Sequence, residues 1–168
     1  MPVTVQPVPI LSDNYAWLLR DEATGRRAVV DPADADAVIH ALEALDARLD
    51  LILLTHHHAD HVAGTDEVRR RYGCPVVGAA ADAGRLPALD RGVTEGDEVM
   101  LGAAAARVLD TPGHTRGHIA FAFGGAGGTP PVLLCGDTLF SLGCGRLLEG
   151  TAAEMFASLR ALAALPDA

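Results

Sequence analysis

Six of the seven histidines in this 168-residue chain fall in two short groups, and the first question is what imidazole at that density could do. The first group reads Leu54-Thr-His-His-His-Ala-Asp-His61. In extended backbone, residues two apart share a face, so His56, His58 and Asp60 can converge. His61 turns to the adjoining direction where the chain enters a helix. Neutral imidazoles beside a carboxylate suit zinc, iron or manganese better than calcium or copper(I). The second group reads Asp110-Thr-Pro-Gly-His-Thr-Arg-Gly-His118. Pro112 and Gly113 break the preceding strand, so a turn presents His114 as a third imidazole ligand. His118 suits a hydrogen-bonding role behind the ligands. A third element, Leu133-Leu-Cys-Gly-Asp137, ends another apolar run in a carboxylate able to bridge two neighbouring cations. Alone, each of these is a polar turn; three of them at strand ends point to a metal centre.

Those strand ends need a scaffold. Short apolar runs alternate with helical patterns, which reads as an α/β protein. Strands are expected at Thr4 to Val8, Tyr15 to Leu19, Ala28 to Val30, Leu51 to Leu54, Val76 to Val77, Arg107 to Leu109, Ile119 to Phe123 and Val132 to Leu134. Leu51 to Leu54 shows no polar alternation and should be buried on both faces. It feeds directly into the first histidine group, placing that group at the carboxyl end of a sheet, where α/β proteins build sites. Helices are expected from Asp34 to Leu45, with Val38, Ile39, Leu42 and Leu45 on one stripe. A second starts at the cap Thr65 and ends before Gly73. A third runs from Thr151 to Leu162 with Met155, Phe156, Leu159 and Leu162 inward. Gly124 to Pro131 reads as a long hairpin connection.

Composition narrows the partners. Hydrophobic residues at 49% and charged residues at 21% are globular values, and the length is that of one domain. A net charge of −9 argues against nucleic acid or an anionic membrane, both of which need a basic face. All 13 basic residues are arginine, so lysine-dependent Schiff-base chemistry is excluded. Three cysteines without close spacing predict reduced thiols in a cytoplasmic, monomeric protein. The N-terminal stretch does not read as a signal peptide, and no apolar run approaches the ~20 residues of a membrane span.

The motifs resemble a known family. The His-x-His-x-Asp-His pattern at 56–61 is that of the metallo-β-lactamase superfamily. Within it the chain resembles glyoxalase II, the hydroxyacylglutathione hydrolases. Four stretches carry the likeness: Ser12-Asp-Asn-Tyr15, Thr55 to His61, Thr111-Pro-Gly-His-Thr-Arg-Gly-His118, and Gly136-Asp-Thr-Leu-Phe-Ser-Leu-Gly-Cys-Gly-Arg146 leading to Glu149-Gly-Thr151. The resemblance implies a four-layer αββα sandwich over residues 1–168, a metal-binding catalytic domain. It implies two zinc sites, with iron or manganese as substitutes. His56, His58 and His114 would hold one metal, Asp60 and His61 the second, and Asp137 both. His57 occupies a family position that is not a ligand. Arg146 matches a basic residue that contacts glutathione, and Leu148 falls where the family often carries an aromatic one.

The implied reaction is hydrolysis of S-D-lactoylglutathione, a small-molecule glutathione thioester, to D-lactate and glutathione by a metal-bound hydroxide, with Asp60 and Asp137 as catalytic carboxylates. Two departures stand out. The family carries one more histidine ligand in a Cys/Gly-His-Glu-Tyr segment, and a C-terminal helical domain that contacts glutathione. No histidine follows His118, so the expectation is a chain lacking that last segment and that domain. The alternatives are a glutathione persulfide dioxygenase with one iron, which shares the Gly-Cys-Gly-Arg stretch, and a catalytically impaired metal-binding fragment.

Overall fold

A computed structural model describes residues 2–125 and 130–166. Its strands divide into two main sheets. The first is built from β1 (Val3–Ile10), β2 (Asn14–Asp21), β3 (Arg27–Val30), β4 (Leu51–Leu53), β5 (Val76–Ala79) and β6 (Arg91–Val93), in that spatial order. The strands from β3 to β6 are parallel, so β3, β4 and β5 deliver their carboxyl ends to one edge. The second sheet is antiparallel, in the order β10-β9-β8-β7, from β7 (Glu98–Leu101), β8 (Ala104–Asp110), β9 (Ile119–Phe123) and β10 (Val132–Leu134). A two-stranded ribbon follows, β11 (Leu139–Phe140) with β12 (Gly143–Cys144).

Apolar alternation decides how these layers stack. Along β4, Leu51 and Leu53 face the second sheet and join Val108 and Phe121 in the core between the sheets. Ile52 faces the other way, into a core with Val38 and Leu42 of α1 (Ala35–Ala44) and Val68 of α3 (Thr65–Tyr72). The strand is thus buried on both faces, as its unbroken apolar run predicts. On the far side, Leu109 and Ala120 pack against Leu162 of α4 (Ala152–Ala163). The result is the expected helix–sheet–sheet–helix sandwich. Burying one side chain as large as Phe121 between the sheets contributes roughly 2–3 kcal/mol.

The helices start and stop where their caps require. The Asp34 side chain accepts the Ala37 N–H at 3.1 Å to open α1. Thr151 and Glu154 form a reciprocal capping box on α4, and Gly73 ends α3 in the left-handed conformation. Gly64, not Thr65, is the cap of α3. Two stripe expectations are corrected. Leu45 caps the C-terminus of α1 and is exposed. On α4 the inward positions are Met155, Ser158 and Leu162, while Phe156 is 62% exposed. The helix touches its sheet along a narrow stripe, and the Ser158 hydroxyl within it donates to the Pro112 carbonyl at 2.7 Å. β6, β7, β11, β12 and a 3₁₀ turn at Ala80–Asp82 were not foreseen, since runs of two to four residues leave little periodicity to read. β9 and β10 do pair as a hairpin; residues 126–129 of its Gly124 to Pro131 connection lie outside the described residues. Among the described residues no helix is long and apolar enough to cross a membrane.

The sheets are pinned at both ends. At the end carrying the histidines, the Ile119 N–H donates to the Thr55 carbonyl at 2.9 Å, from the second sheet to the first. At the opposite end, the buried Asp21 carboxylate accepts from the Thr24 hydroxyl at 2.6 Å and from the Ala103 N–H in the β7–β8 turn at 2.9 Å. Replacing Asp21 with alanine removes these charge-assisted bonds and should cost about 1.5–3 kcal/mol in denaturant unfolding. A loss below about 0.5 kcal/mol, the level of an ordinary surface change, would contradict this role.

Candidate metal centre

The chain leaves β4, bends at Thr55 and is extended at His58, which caps α2 (Ala59–Val62). His56 and His58 nevertheless come together on one side, but Asp60 lies in the first turn of the helix instead. Its side chain is 60% exposed, with one oxygen 3.9 Å from His61 Nε2. His114 arrives from the β8–β9 connection and Asp137 from the end of β10, both at the same edge. His56 Nε2 lies 3.2 Å from His58 Nδ1, which lies 3.0 Å from His114 Nε2. All three ligand atoms fall within 4.8 Å of one another. Asp137 spans outward from this group, with one oxygen 3.3 Å from His114 Nε2 and the other 3.2 Å from His61 Nε2.

The hydrogen-bond partners assign the protons. The buried Asp31 carboxylate accepts from the Thr55 N–H at 2.8 Å, the Thr55 hydroxyl at 2.6 Å and His61 Nδ1 at 2.9 Å. Because the Thr55 proton is committed to Asp31, its oxygen accepts from His56 Nδ1, 3.0 Å away. Likewise His114 Nδ1 donates to the Arg146 carbonyl at 2.7 Å. His56 Nε2 and His114 Nε2 are left as bare lone pairs aimed at a shared point beside His58 Nδ1. Clustered lone pairs repel, and a cation relieves that repulsion. Nitrogens about 2.0–2.1 Å from a tetrahedral zinc stand roughly 3.3 Å apart, close to the spacing seen here. The donor set fits a divalent metal.

Electrostatics follow the same logic. Burial and the surrounding imidazoles lower the pKa of His56 and His58, keeping both neutral as ligands must be. Burial opposes charge on His61 too, but hydrogen bonds to Asp137 and Asp31 outweigh it and raise its pKa to about 10. The His61 proton facing Asp137 is the one a cation would displace. Burial, with His114 nearby, pushes His118 down to about 3. His118 spends both nitrogens inside the protein: Nε2 accepts the Asp137 N–H at 3.1 Å and Nδ1 faces the Thr111 hydroxyl at 2.9 Å. It therefore sets the backbone that carries Asp137 and is not free to ligate. Gly136 makes this possible. It has φ +45°, and a Cβ there would press on Thr55 Oγ1 at 2.5 Å and His118 Nε2 at 2.8 Å.

Arg146 and Leu148 are both exposed at the rim, and what the structure adds for them is backbone. The Arg146 carbonyl orients His114, and the Leu148 N–H donates to the His114 carbonyl at 3.3 Å. Sequence reasoning missed Asp31, although Val29-Val-Asp31 ends an apolar run in a carboxylate just as the Asp137 segment does. It also gave no role to Asn14, whose side-chain amide donates to the Asp60 carbonyl at 2.8 Å and holds the Asp60–His61 turn. Asp31 adopts φ +52°, a left-handed conformation costing about 1 kcal/mol, placed where three donors converge. Replacing Asp31 with asparagine would put an N–H where Oδ2 accepts. That frees the Thr55 proton toward His56 and turns His56 Nε2 into a donor, while His61 Nδ1 becomes an acceptor and the proton on His61 Nε2 becomes the only one that ring holds. Asp31→Asn should retain the fold by circular dichroism yet lose most bound metal by elemental analysis; full metal content would refute the tautomer argument.

Comparison with known proteins identifies the family. The family model of the metallo-beta-lactamase superfamily matches residues 11–168. A hydroxyacylglutathione hydrolase from Acidiphilium cryptum (strain JF-5) is 54% identical over 162 residues, covering 96% of this chain and 64% of the relative. The chain thus spans less than two thirds of that relative's length. Among solved structures, ETHE1 from Myxococcus xanthus superposes with a TM-score of 0.81 at 33% identity, over 98% of this chain and 72% of that one. The BLEG-1 B3 metallo-beta-lactamase gives a TM-score of 0.81 at 26% identity, over 94% and 84%. With its family model matched nearly end to end and its histidine groups brought together at one sheet edge, the chain belongs to the metallo-beta-lactamase superfamily.

Proposed function

We propose that this protein hydrolyses 2-hydroxyacyl thioesters of glutathione, S-D-lactoylglutathione foremost, to the hydroxy acid and free glutathione. The observation that carries the reading is the ligand cluster of His56, His58, His114, His61 and Asp137, in a chain 54% identical to a hydroxyacylglutathione hydrolase; its likeness to ETHE1, at 33% identity, is weaker. His56, His58 and His114 would hold one zinc, Asp60 and His61 a second, with Asp137 between them; iron or manganese suits the same donors. When bound, such a cation supplies Lewis acidity and brings the pKa of water down to about 7.

The chain's own groups do the remaining work. Asp60 is exposed enough to hold a water proton by a free carboxylate oxygen and so orient the attack. Asn14 and Asp31 fix the turn from which Asp60 and His61 project. No residue need act as a general acid, because a thiol of pKa about 8.5 departs as thiolate. Arg146 at the rim offers a guanidinium for a glutathione carboxylate, and Leu148 beside it an apolar surface. The acidic net charge and the three free cysteines support a cytoplasmic, monomeric protein that handles a small molecule and no nucleic acid.

The test is loss of thioester absorbance from S-D-lactoylglutathione with the zinc-loaded chain, run beside oxygen consumption with glutathione persulfide. Hydrolysis that disappears with chelator and returns with zinc is expected. Oxygen uptake without hydrolysis, or metal bound without either, would overturn the reading. Arg146→Ala keeps the carbonyl that orients His114, so it should raise KM about tenfold with little change in kcat. A fall in kcat at unchanged KM would contradict the rim role.

A further inference from the structure

The two halves of the first metal's ligand set come from different sheets, and something must hold their spacing. His56 and His58 follow β4 in the first sheet, whereas His114 follows β8 in the second. Between them lies a closed ring of side chains that the reaction does not use. His57, between the two ligand histidines, faces Asp82 through Nδ1 at 3.1 Å and Glu149 through Nε2 at 3.4 Å. Arg85 closes the ring, donating to both Asp82 and Glu149. Acidic and basic side chains alternate all the way round.

Glu149 is the member that reaches both sides. Its second oxygen accepts the Arg116 N–H at 3.0 Å, and its own N–H donates to the His114 carbonyl at 3.2 Å. The Arg146 carbonyl and the Gly150 N–H, which donates to Gly113 at 3.1 Å, bind the same loop. Residues 146–150 thus form a strap over the His114 loop, and the Glu149 side chain ties that strap to His57 and Arg85 of the first sheet. Asp82 adds a second tie. It is buried, and its carboxylate lies so close to Gly117 that a Cβ there would overlap it. The ring therefore touches the His114–His118 loop by two routes and the His56–His58 segment by a third.

We propose that Glu149 is a positioning residue that locks the two histidine loops across the gap between the sheets and so sets the distance from His114 to His56 and His58. The proposal rests on the metal-binding reading above, not on the identity of the substrate. It also accounts for an acidic side chain, half-buried beside the site, that touches neither a ligand nitrogen nor a reacting atom. Glutamine at 149 keeps the shape and the bond to Arg116 but removes the charge facing Arg85 and His57.

The experiment is competition of a chelator for zinc with the wild-type chain, Glu149→Gln and Arg85→Gln, alongside thermal melting of each metal-free protein. Glu149→Gln should bind the zinc held by His56, His58 and His114 about tenfold more weakly, while the metal-free melting temperature stays near that of the wild type. Arg85 is 41% exposed and breaks the same link from the other side, so it serves if Glu149→Gln does not fold, and should show the same loss. Combining both changes should add little to either alone, because they open one ring. Wild-type zinc affinity in folded Glu149→Gln or Arg85→Gln would overturn the proposal. A wild-type chain that binds no zinc would instead defeat the metal reading itself.

Discussion

One buried carboxylate decides whether this site can accept a metal. Asp31 takes two hydrogen bonds from Thr55 and one from His61. By holding the Thr55 proton it dictates which nitrogen of His56 is bare, and by holding His61 Nδ1 it reserves Nε2 for the cation side. Two histidines on one loop, His56 and His61, thus have their Nδ1 side set by a residue from the end of the preceding strand. The remaining chemistry presupposes that assignment, since a ligand nitrogen that carries a proton cannot bind metal.

The sandwich is the means of bringing Asp31 there. β3 and β4 are parallel neighbours, so the residue after β3 and the residues after β4 emerge side by side. The antiparallel second sheet delivers His114 and Asp137 to the same edge, because the end of β8, the start of β9 and the end of β10 coincide. Phe121 and the leucines of β4 fill the space between the sheets and determine how far apart these edges stand. At the site itself the separation is trimmed by polar contacts: the Ile119–Thr55 backbone bond, the strap over His114 and the ring around His57.

The sequence exposes most of the pieces and few of the contacts. Leu51 to Leu54 reads as a doubly buried strand, and the structure splits its side chains between two cores accordingly. His56, His58, His114 and Asp137 are legible because each follows an apolar run in a short, histidine- or glycine-marked turn. Asp60 reads as converging with His56 and His58 in extended backbone, but the chain is already helical there and its side chain is exposed. Phe156 is misjudged because helical periodicity cannot tell how wide a stripe the neighbouring sheet will cover. Asp31, Asp82 and Glu149 escape notice for a common reason. Each works through partners that are distant in the chain, and an isolated acidic residue carries no periodic signal. Backbone contributions, such as the Arg146 carbonyl on His114, are invisible in residue type altogether.

X-ray absorption at the zinc edge of the chain loaded with a single zinc per molecule tests the central claim most directly. Convergence of His56, His58 and His114 predicts a nitrogen and oxygen shell at about 2.0–2.1 Å with multiple scattering from roughly three imidazole rings. A sulfur shell near about 2.3 Å, drawn from Cys135 or Cys144, or an oxygen shell without imidazole scattering, would show that the metal binds elsewhere and contradict the account.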